Sequence, residues 1–162
     1  MERLRHLAER LARAEIQLAR TQEELRRLAR GIHPRELSER GLAAALASLA
    51  RDVPLPVKLA VSAAGDPPAA AACAYFVCSE ALANVAKYAA ASHVTVSVRS
   101  DPGGTTVEVE DDGVGGADPG RGTGLRGLAD RVETLGGTLT VDSPPGRGTR
   151  LVAVIPHGAG AA

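Results

Sequence analysis

Glu80-Ala81-Leu82-Ala83-Asn84-Val85-Ala86-Lys87-Tyr88, then Asp111-Asp112-Gly113-Val114-Gly115, then Gly122-Thr123-Gly124-Leu125-Arg126-Gly127 form a run of three motifs on helix, strand end and loop-to-helix. On a helix, Glu80, Asn84 and Lys87 stand at i, i+4 and i+7 and share one face. Phe76, Val77, Leu82 and Val85 supply the buried side of that helix. A carboxylate, an amide and an ammonium on one stripe suit a metal–phosphate site. Asn84 offers a neutral oxygen to Mg²⁺, which keeps phosphate oxygens and water in the rest of its octahedral shell. Lys87 can meet phosphate charge, and Glu80 can hold a water or polarise an attacking group. Taken alone, the stripe also reads as the solvated face of a surface helix.

The second motif ends a strand. Val107, Val109 and Asp111 alternate, so Asp111 shares a sheet face with apolar residues. A carboxylate there is costly without a donor, and the exocyclic amine of adenine is such a donor. Gly113 and Gly115 allow close backbone approach and positive φ. A plain Asp-Gly turn, with Asp112 as its turn residue, gives the same string. The third motif opens a helix, whose first amides bind phosphate well. Its glycines also fit the dinucleotide fingerprint. That reading fails because the fingerprint follows its strand at once, whereas here a loop of about ten residues separates them from the strand. There is no GxxxxGK[ST] loop.

Ahead of these motifs, Leu55 to Ser62 alternates as a strand. Pro67 and Pro68 open a helix that should run to about Ala90. His93–Arg99 and Thr105–Glu110 form a hairpin across Asp101-Pro102-Gly103-Gly104. A helix over about Leu125–Leu135 precedes a second hairpin, Thr138–Asp142 and Thr149–Ile155, turning at Pro144-Pro145-Gly146-Arg147-Gly148. The order predicts an α+β, two-layer sandwich: one mixed sheet with helices on one face.

Toward the N-terminus, Leu4, Leu7, Leu11, Ala14, Leu18, Thr21, Leu25, Leu28 and Ile32 form a heptad seam. A long helix over about Glu2–Gly31 follows, and its seam wants a partner helix. A shorter helix, about Ser38 to Arg51, has Ser38 as its expected cap, and Asp52-Val53-Pro54-Leu55-Pro56 marks a boundary. The expected organisation is a helical dimerisation and linker region over 1–53, a globular domain over 54–157 and a disordered tail over 158–162.

Composition sets bounds on partners. The 162 residues are 44% hydrophobic, with two Tyr, one Phe and no Trp, so the core is built from Ala, Val and Leu. Net charge is zero, which gives no global field toward nucleic acid or an anionic membrane. No apolar run is read as reaching the ~18 residues of a membrane span, and the charged N-terminus does not read as a signal peptide. Cys73 and Cys78 lack partners at ligand spacing and read as small buried residues.

Together the motifs resemble the catalytic ATP-binding domain of sensor histidine kinases, most closely the nitrate-sensor-type subfamily, over about Leu55 to Pro156. The resemblance implies Mg·ATP as ligand. It places Glu80 as the catalytic polar residue and Asn84 as the metal ligand. It places Lys87, Asp111, Gly113, Gly115, Gly122, Thr123, Gly124, Leu125, Gly127 and Thr149 around the nucleotide, with Thr149 close to the adenine. Tyr88 stands where the subfamily's first motif has His. Residues Leu28–Leu46 resemble the junction after the second dimerisation helix.

The phosphoacceptor histidine of such kinases is followed at once by an acid that takes its proton. His33 is followed by Pro34 and His6 by Leu7. The resemblance therefore implies that the acceptor lies on a first helix upstream of this chain, with a homodimer through the N-terminal helix. It also implies an aspartyl response regulator downstream and a cytoplasmic location. Two other readings share the pocket: a non-catalytic ATP-sensing dimerisation module, and a serine kinase of the anti-sigma type, against which the heptad helix argues.

Overall fold

The computed structural model describes residues 35–63, 65–118 and 123–158. The expected helix over 2–31, its seam, His6, His33 and Gly122 lie outside the described residues, as does the tail beyond 158. The chain divides into two compact units, Met1–His33 and Pro34–Ala162. The second contains α1 (Arg35–Arg51), β1 (Val57–Ser62), α2 (Pro68–Asn84), a π-helical turn (Val85–Ala89), β2 (Val94–Asp101), β3 (Gly104–Asp111), α3 (Thr123–Thr134), β4 (Thr138–Asp142) and β5 (Thr149–Pro156).

The five strands lie in the order β1-β2-β3-β5-β4. β1 runs parallel to β2 and every other pair is antiparallel, so the sheet is mixed, as the α+β reading expects. Strand alternation does the sorting. Val94, Val96 and Val98 of β2, Val107 and Val109 of β3, and Leu151, Ala153 and Ile155 of β5 are all buried. Residues between them face solvent, where Arg150 Nε donates to Glu108 Oε1 at 2.7 Å. One packed and one wet face is the usual state of antiparallel strands.

α2 covers the packed face. Ala70, Cys73, Ala74, Val77, Cys78, Ala81 and Leu82 are buried along it, and such small residues let a helix sit low on a sheet. Phe76, expected on the buried side, is only half-buried and instead lies beneath the Arg131 guanidinium, 4.3 Å from its ring centroid. The α-helix expected to reach Ala90 stops at Asn84. The chain continues as the π turn, closed by Ala90 at φ 48°. By length and composition, Pro68–Ala89 (22 residues, mean hydropathy 1.4) is apolar enough to cross a membrane, although its run is interrupted. In this fold it is the central helix of the core.

Two N-terminal expectations shift. Ser38 does not cap a helix: α1 begins at Arg35 and is broken at Gly41 (φ 81°, ψ 173°), past Ser38. Leu37, Leu42, Ala45 and Leu46 of α1 belong to the same core as the sheet. The division between units accordingly falls at His33/Pro34, ahead of the proline-marked segment at 52–56. Those prolines separate α1 from β1 within one domain.

At the far end of β3 from Asp111, Thr105 is fully buried and bonds Ser100 Oγ at 3.0 Å and His157 Nε2 at 2.8 Å. Ser100 donates to Asp66. His157, assigned no role by the sequence, thus ties the end of β5 into the fold.

Candidate functional site

Three segments far apart in sequence meet at the Asp111 end of the sheet. Asp111 ends β3 on its packed face and is 7% exposed. Its Oδ1 accepts the Gly113 amide at 2.8 Å, which leaves the second carboxylate oxygen for another donor. Gly113 is buried against the end of the π turn: a β-carbon there would stand 2.2 Å from the Ala89 carbonyl oxygen. Val114 N donates to that same oxygen at 2.8 Å. The glycine of the second motif is therefore required by close approach to the first motif's C-terminal end.

Asp112 closes the same junction from the other side. Its Oδ1 accepts the amides of Ser92 (2.8 Å) and His93 (3.1 Å), its Oδ2 accepts the Ser92 hydroxyl, and His93 Nδ1 lies 3.0 Å away. The Ser92 hydroxyl first, then the His93 amide, hold this carboxyl well below the usual carboxylate range. The sequence offered Asp112 as a turn residue and gave His93 only a strand-start position; in the structure they latch the turn after the π segment to the end of β3.

The hairpin between β4 and β5 supplies the third side. Register pairs Asp111 with Thr149, so the two side chains stand on the same sheet face as direct cross-strand neighbours. Gly148 (φ 73°) packs so closely that a β-carbon would lie 2.0 Å from the Asp111 carbonyl oxygen. Gly115 (φ 62°) meets the Pro144 carbonyl in the same way, at 2.2 Å. Gly146 N donates to Val114 O at 2.6 Å and Gly116 N to Ser143 O at 2.8 Å. Ser143, absent from every sequence motif, accepts the Ala117 amide on its Oγ at 2.9 Å and lies 2.9 Å from Thr149 Oγ1. The signal near it is the hairpin turn 144–148, whose following residue, Thr149, the family resemblance places close to the adenine, while Ser143 itself carries no motif.

The glycines at the start of α3 complete the arrangement. Gly124 packs against Glu80, with Glu80 Oε1 placed 2.4 Å from where a Gly124 β-carbon would be. Arg131, two turns further along α3, lies over Phe76, one turn before Glu80. The two helices therefore run antiparallel here, and the N-terminal turn of α3 is the part beside Glu80. Gly124 and Leu125 are half-buried and Gly127 is exposed.

The first motif keeps part of its expected stripe. Glu80 and Asn84, both half-buried, remain one α-turn apart on α2. Lys87 is exposed on the π turn. A π turn bonds i to i+5 and is wider than an α turn, so Lys87 departs from the shared i, i+4, i+7 face. Tyr88 is 72% exposed and Val114 55%, flanking the Ala89–Val114 bond. Among the described residues no group of three or more His, Cys, Asp or Glu is placed to hold a metal ion. An oxygen-only Mg²⁺ site that draws mainly on phosphate and water needs no such group, and the half-buried amide of Asn84 beside Glu80 fits it.

Residues 72–159 match the family model described as histidine kinase-, DNA gyrase B-, and HSP90-like ATPase. The chain is 36% identical over 143 residues to the signal transduction histidine-protein kinase/phosphatase UhpB of Salmonella typhimurium, covering 82% of this chain and 28% of that protein. It is 42% identical over 86 residues to the oxygen sensor histidine kinase NreB of Staphylococcus carnosus, covering 51% of this chain and 25% of that protein. The chain thus spans about a quarter of the length of these two curated relatives. Among solved structures it resembles the blue-light activated histidine kinase EL346 of Erythrobacter litoralis (TM-score 0.60, 26% identity, 74% of this chain and 42% of that one). It also resembles the ATP binding domain of PrrB from Mycobacterium tuberculosis (TM-score 0.55, 29% identity, 73% and 92%).

Proposed function

Because the chain belongs to the histidine kinase-, DNA gyrase B- and HSP90-like ATPase family, we propose that it binds Mg·ATP between α2, the glycine loop after β3 and the β4–β5 hairpin. It then donates the γ-phosphoryl group to a histidine. The observation that carries this reading is Asp111: a buried carboxylate with one oxygen satisfied by Gly113, flanked by two glycine-dependent close approaches and paired across the sheet with Thr149. A buried acceptor held so firmly suits the exocyclic amine of adenine.

Asn84 and Glu80 would line the phosphate end. Asn84 would hold Mg²⁺, which neutralises phosphate charge when bound. Lys87, Gly122, Thr123, Gly124, Leu125 and Gly127 would surround the phosphates as lid and lid-to-helix. The attacking imidazole nitrogen forms the new N–P bond, the bond from the γ-phosphorus to the bridging oxygen breaks, and ADP leaves. The imidazole proton passes to a neighbouring carboxylate. The protein's contribution is positioning and electrostatics rather than covalent chemistry. The acceptor histidine, a homodimer through the N-terminal helix in the full-length protein, an aspartyl response regulator as the next acceptor and a cytoplasmic setting complete the proposal.

Calorimetric titration of the chain with Mg·ATP, beside Asp111→Asn, tests it. Saturable binding by the wild type that weakens about a hundredfold in the variant is expected, since a buried, charge-assisted bond is lost and an amide donor then faces the adenine amine. A folded wild type that does not bind Mg·ATP would sink the reading.

A further inference from the structure

Resting on the reading that α3 opens beside the ATP phosphates, we infer that Arg131 is a positioning residue: stacked on Phe76, it sets α3 along α2 so that the first turn of α3 stays against Glu80 and the phosphates. On α3, Gly124, Leu128 and Arg131 stand at i, i+4 and i+7 and share one face. On α2, Phe76 and Glu80 share a face at i and i+4. The two stripes meet at two points. A β-carbon on Gly124 would stand 2.4 Å from Glu80 Oε1, and the Arg131 guanidinium carbon lies 4.3 Å from the Phe76 ring centroid. Burial pushes the Cys73 thiol, one turn before Phe76, up, and the Arg131 charge pulls it partly back, so the cation lies over this same stretch of α2.

The spacing of the two contacts fits. Seven positions separate Gly124 from Arg131 (131 − 124) and four separate Phe76 from Glu80 (80 − 76), roughly 10 Å and roughly 6 Å of helix. A long side chain points back toward the N-terminus of its own helix, and an arginine stem covers the difference of about 4 Å. Leu128 and Val132 are buried and hold α3 on the core, but apolar burial is non-directional and does not fix where α3 sits along α2. Nothing lies within 4 Å of where a Gly127 β-carbon would be, so that turn has no side chain to interlock. A guanidinium over a ring is directional, because the ring quadrupole attracts the cation to its face and the planar group stacks there. Phe76 is itself held edge-on by Tyr75, with ring centroids 5.9 Å apart at 78°. Two of the three aromatic residues in the chain thus stand at this one point of α2, in a core otherwise aliphatic, so the ring under Arg131 is not generic core filling.

The test is calorimetry with Mg·ATP and with AMP in the same magnesium buffer. It is run on the full chain as wild type, Arg131→Ala, Phe76→Leu, the double variant and Phe76→Tyr. AMP keeps the base and lacks the β- and γ-phosphates, so the ratio of the two affinities reads the phosphate end alone. One cation–π contact corresponds to about a fivefold change. The wild-type preference for ATP over AMP should fall by about that factor in Arg131→Ala and in Phe76→Leu, fall no further in the double variant, and persist in Phe76→Tyr, with AMP affinity unchanged throughout. Phe76→Leu leaves every charge in place, so a loss there cannot come from a weaker field on the phosphates. A purely structural role would weaken both nucleotides by the same factor. That result, or an unchanged preference in Phe76→Leu, overturns the assignment while leaving ATP binding intact. A wild type that binds ATP and AMP equally overturns it too, since the first turn of α3 would then meet no phosphate. A folded wild type that binds neither nucleotide overturns the ATP reading and this one with it. Both side chains are half-buried, and thermal melts of each variant establish that it is folded.

Discussion

The Glu80 carboxylate occupies space that only a glycine at position 124 leaves open: a β-carbon on Gly124 would stand 2.4 Å from Glu80 Oε1. Forty-four positions of sequence separate these residues (124 − 80), and antiparallel packing of α2 and α3 brings them together. In Gly124→Ala the obstacle is the far end of a flexible side chain, so Glu80 should swing aside rather than the helices part. Alanine in a helix is also favoured over glycine by about 1 kcal/mol. The variant should therefore fold with stability unchanged or slightly raised and still bind ATP, and phosphoryl transfer to a supplied acceptor helix should fall about tenfold or more. Urea melts, calorimetry and a transfer assay read the three quantities. An equal loss in binding and transfer would count against Glu80 as the group displaced.

Gly148 and Gly146 both have positive φ (73° and 77°) but differ in surroundings. A β-carbon at Gly148 meets the Asp111 backbone at 2.0 Å, whereas Gly146 has nothing within 4 Å. Gly146→Ala should cost only the left-handed conformation, about 1–2 kcal/mol. Gly148→Ala adds a backbone clash at the end of the β3–β5 pair, so about 3 kcal/mol or more is expected. It should also lose ATP binding. Denaturant titration of the pair, with calorimetry, checks both.

Asp112 has a depressed pKa in the fold, caused first by the Ser92 hydroxyl and then by the His93 amide. A carboxyl held below its unfolded value near ~3.9 stabilises fully above that pH and loses its contribution as pH falls further. Melting temperatures should therefore drop on acidification below about pH 4 more steeply in the wild type than in Asp112→Asn. The variant should be the less stable of the two at neutral pH. Parallel acid titrations would sink the latch.

Leu46 is 1% exposed and packs with the sheet core. Leu46→Ala should cost about 2–5 kcal/mol and shift a single cooperative unfolding transition, because α1 shares the core. A separate early transition for α1 would contradict that packing.

Cys73 and Cys78 are free and buried, and burial pushes the Cys78 thiol up to about 12. Because the folded pKa is raised, any stability linked to this thiol is intact below its unfolded value near ~8.5 and is lost as pH rises above it. A thiol reagent at pH 8 should label neither cysteine in the native protein and both in denaturant.

The layers and the motif set were legible in the order of residues alone. Alternation in β2, β3 and β5 was legible because side-chain period two is local, and the Asp101–Gly104 turn was legible because Asp101 Oδ1 accepts the Gly103 and Gly104 amides within the turn itself. Asp111 was legible as a carboxylate on an apolar face by the same periodicity. Three things were not. The π turn that moves Lys87 off its stripe depends on how the end of α2 meets Gly113 and Val114. The membership of α1 in the core depends on Leu42, Ala45 and Leu46 finding the sheet, which their prolines downstream gave no sign of. Ser143 and Asp112 acquired their contacts from strand register and loop packing, which bring Ser143 to Ala117 and Thr149 and Asp112 to Ser92 and His93. Local periodicity chooses elements and faces; only tertiary packing brings Glu80 to Gly124 and Ser143 to Thr149, because those contacts join residues whose sequence neighbours carry no record of each other.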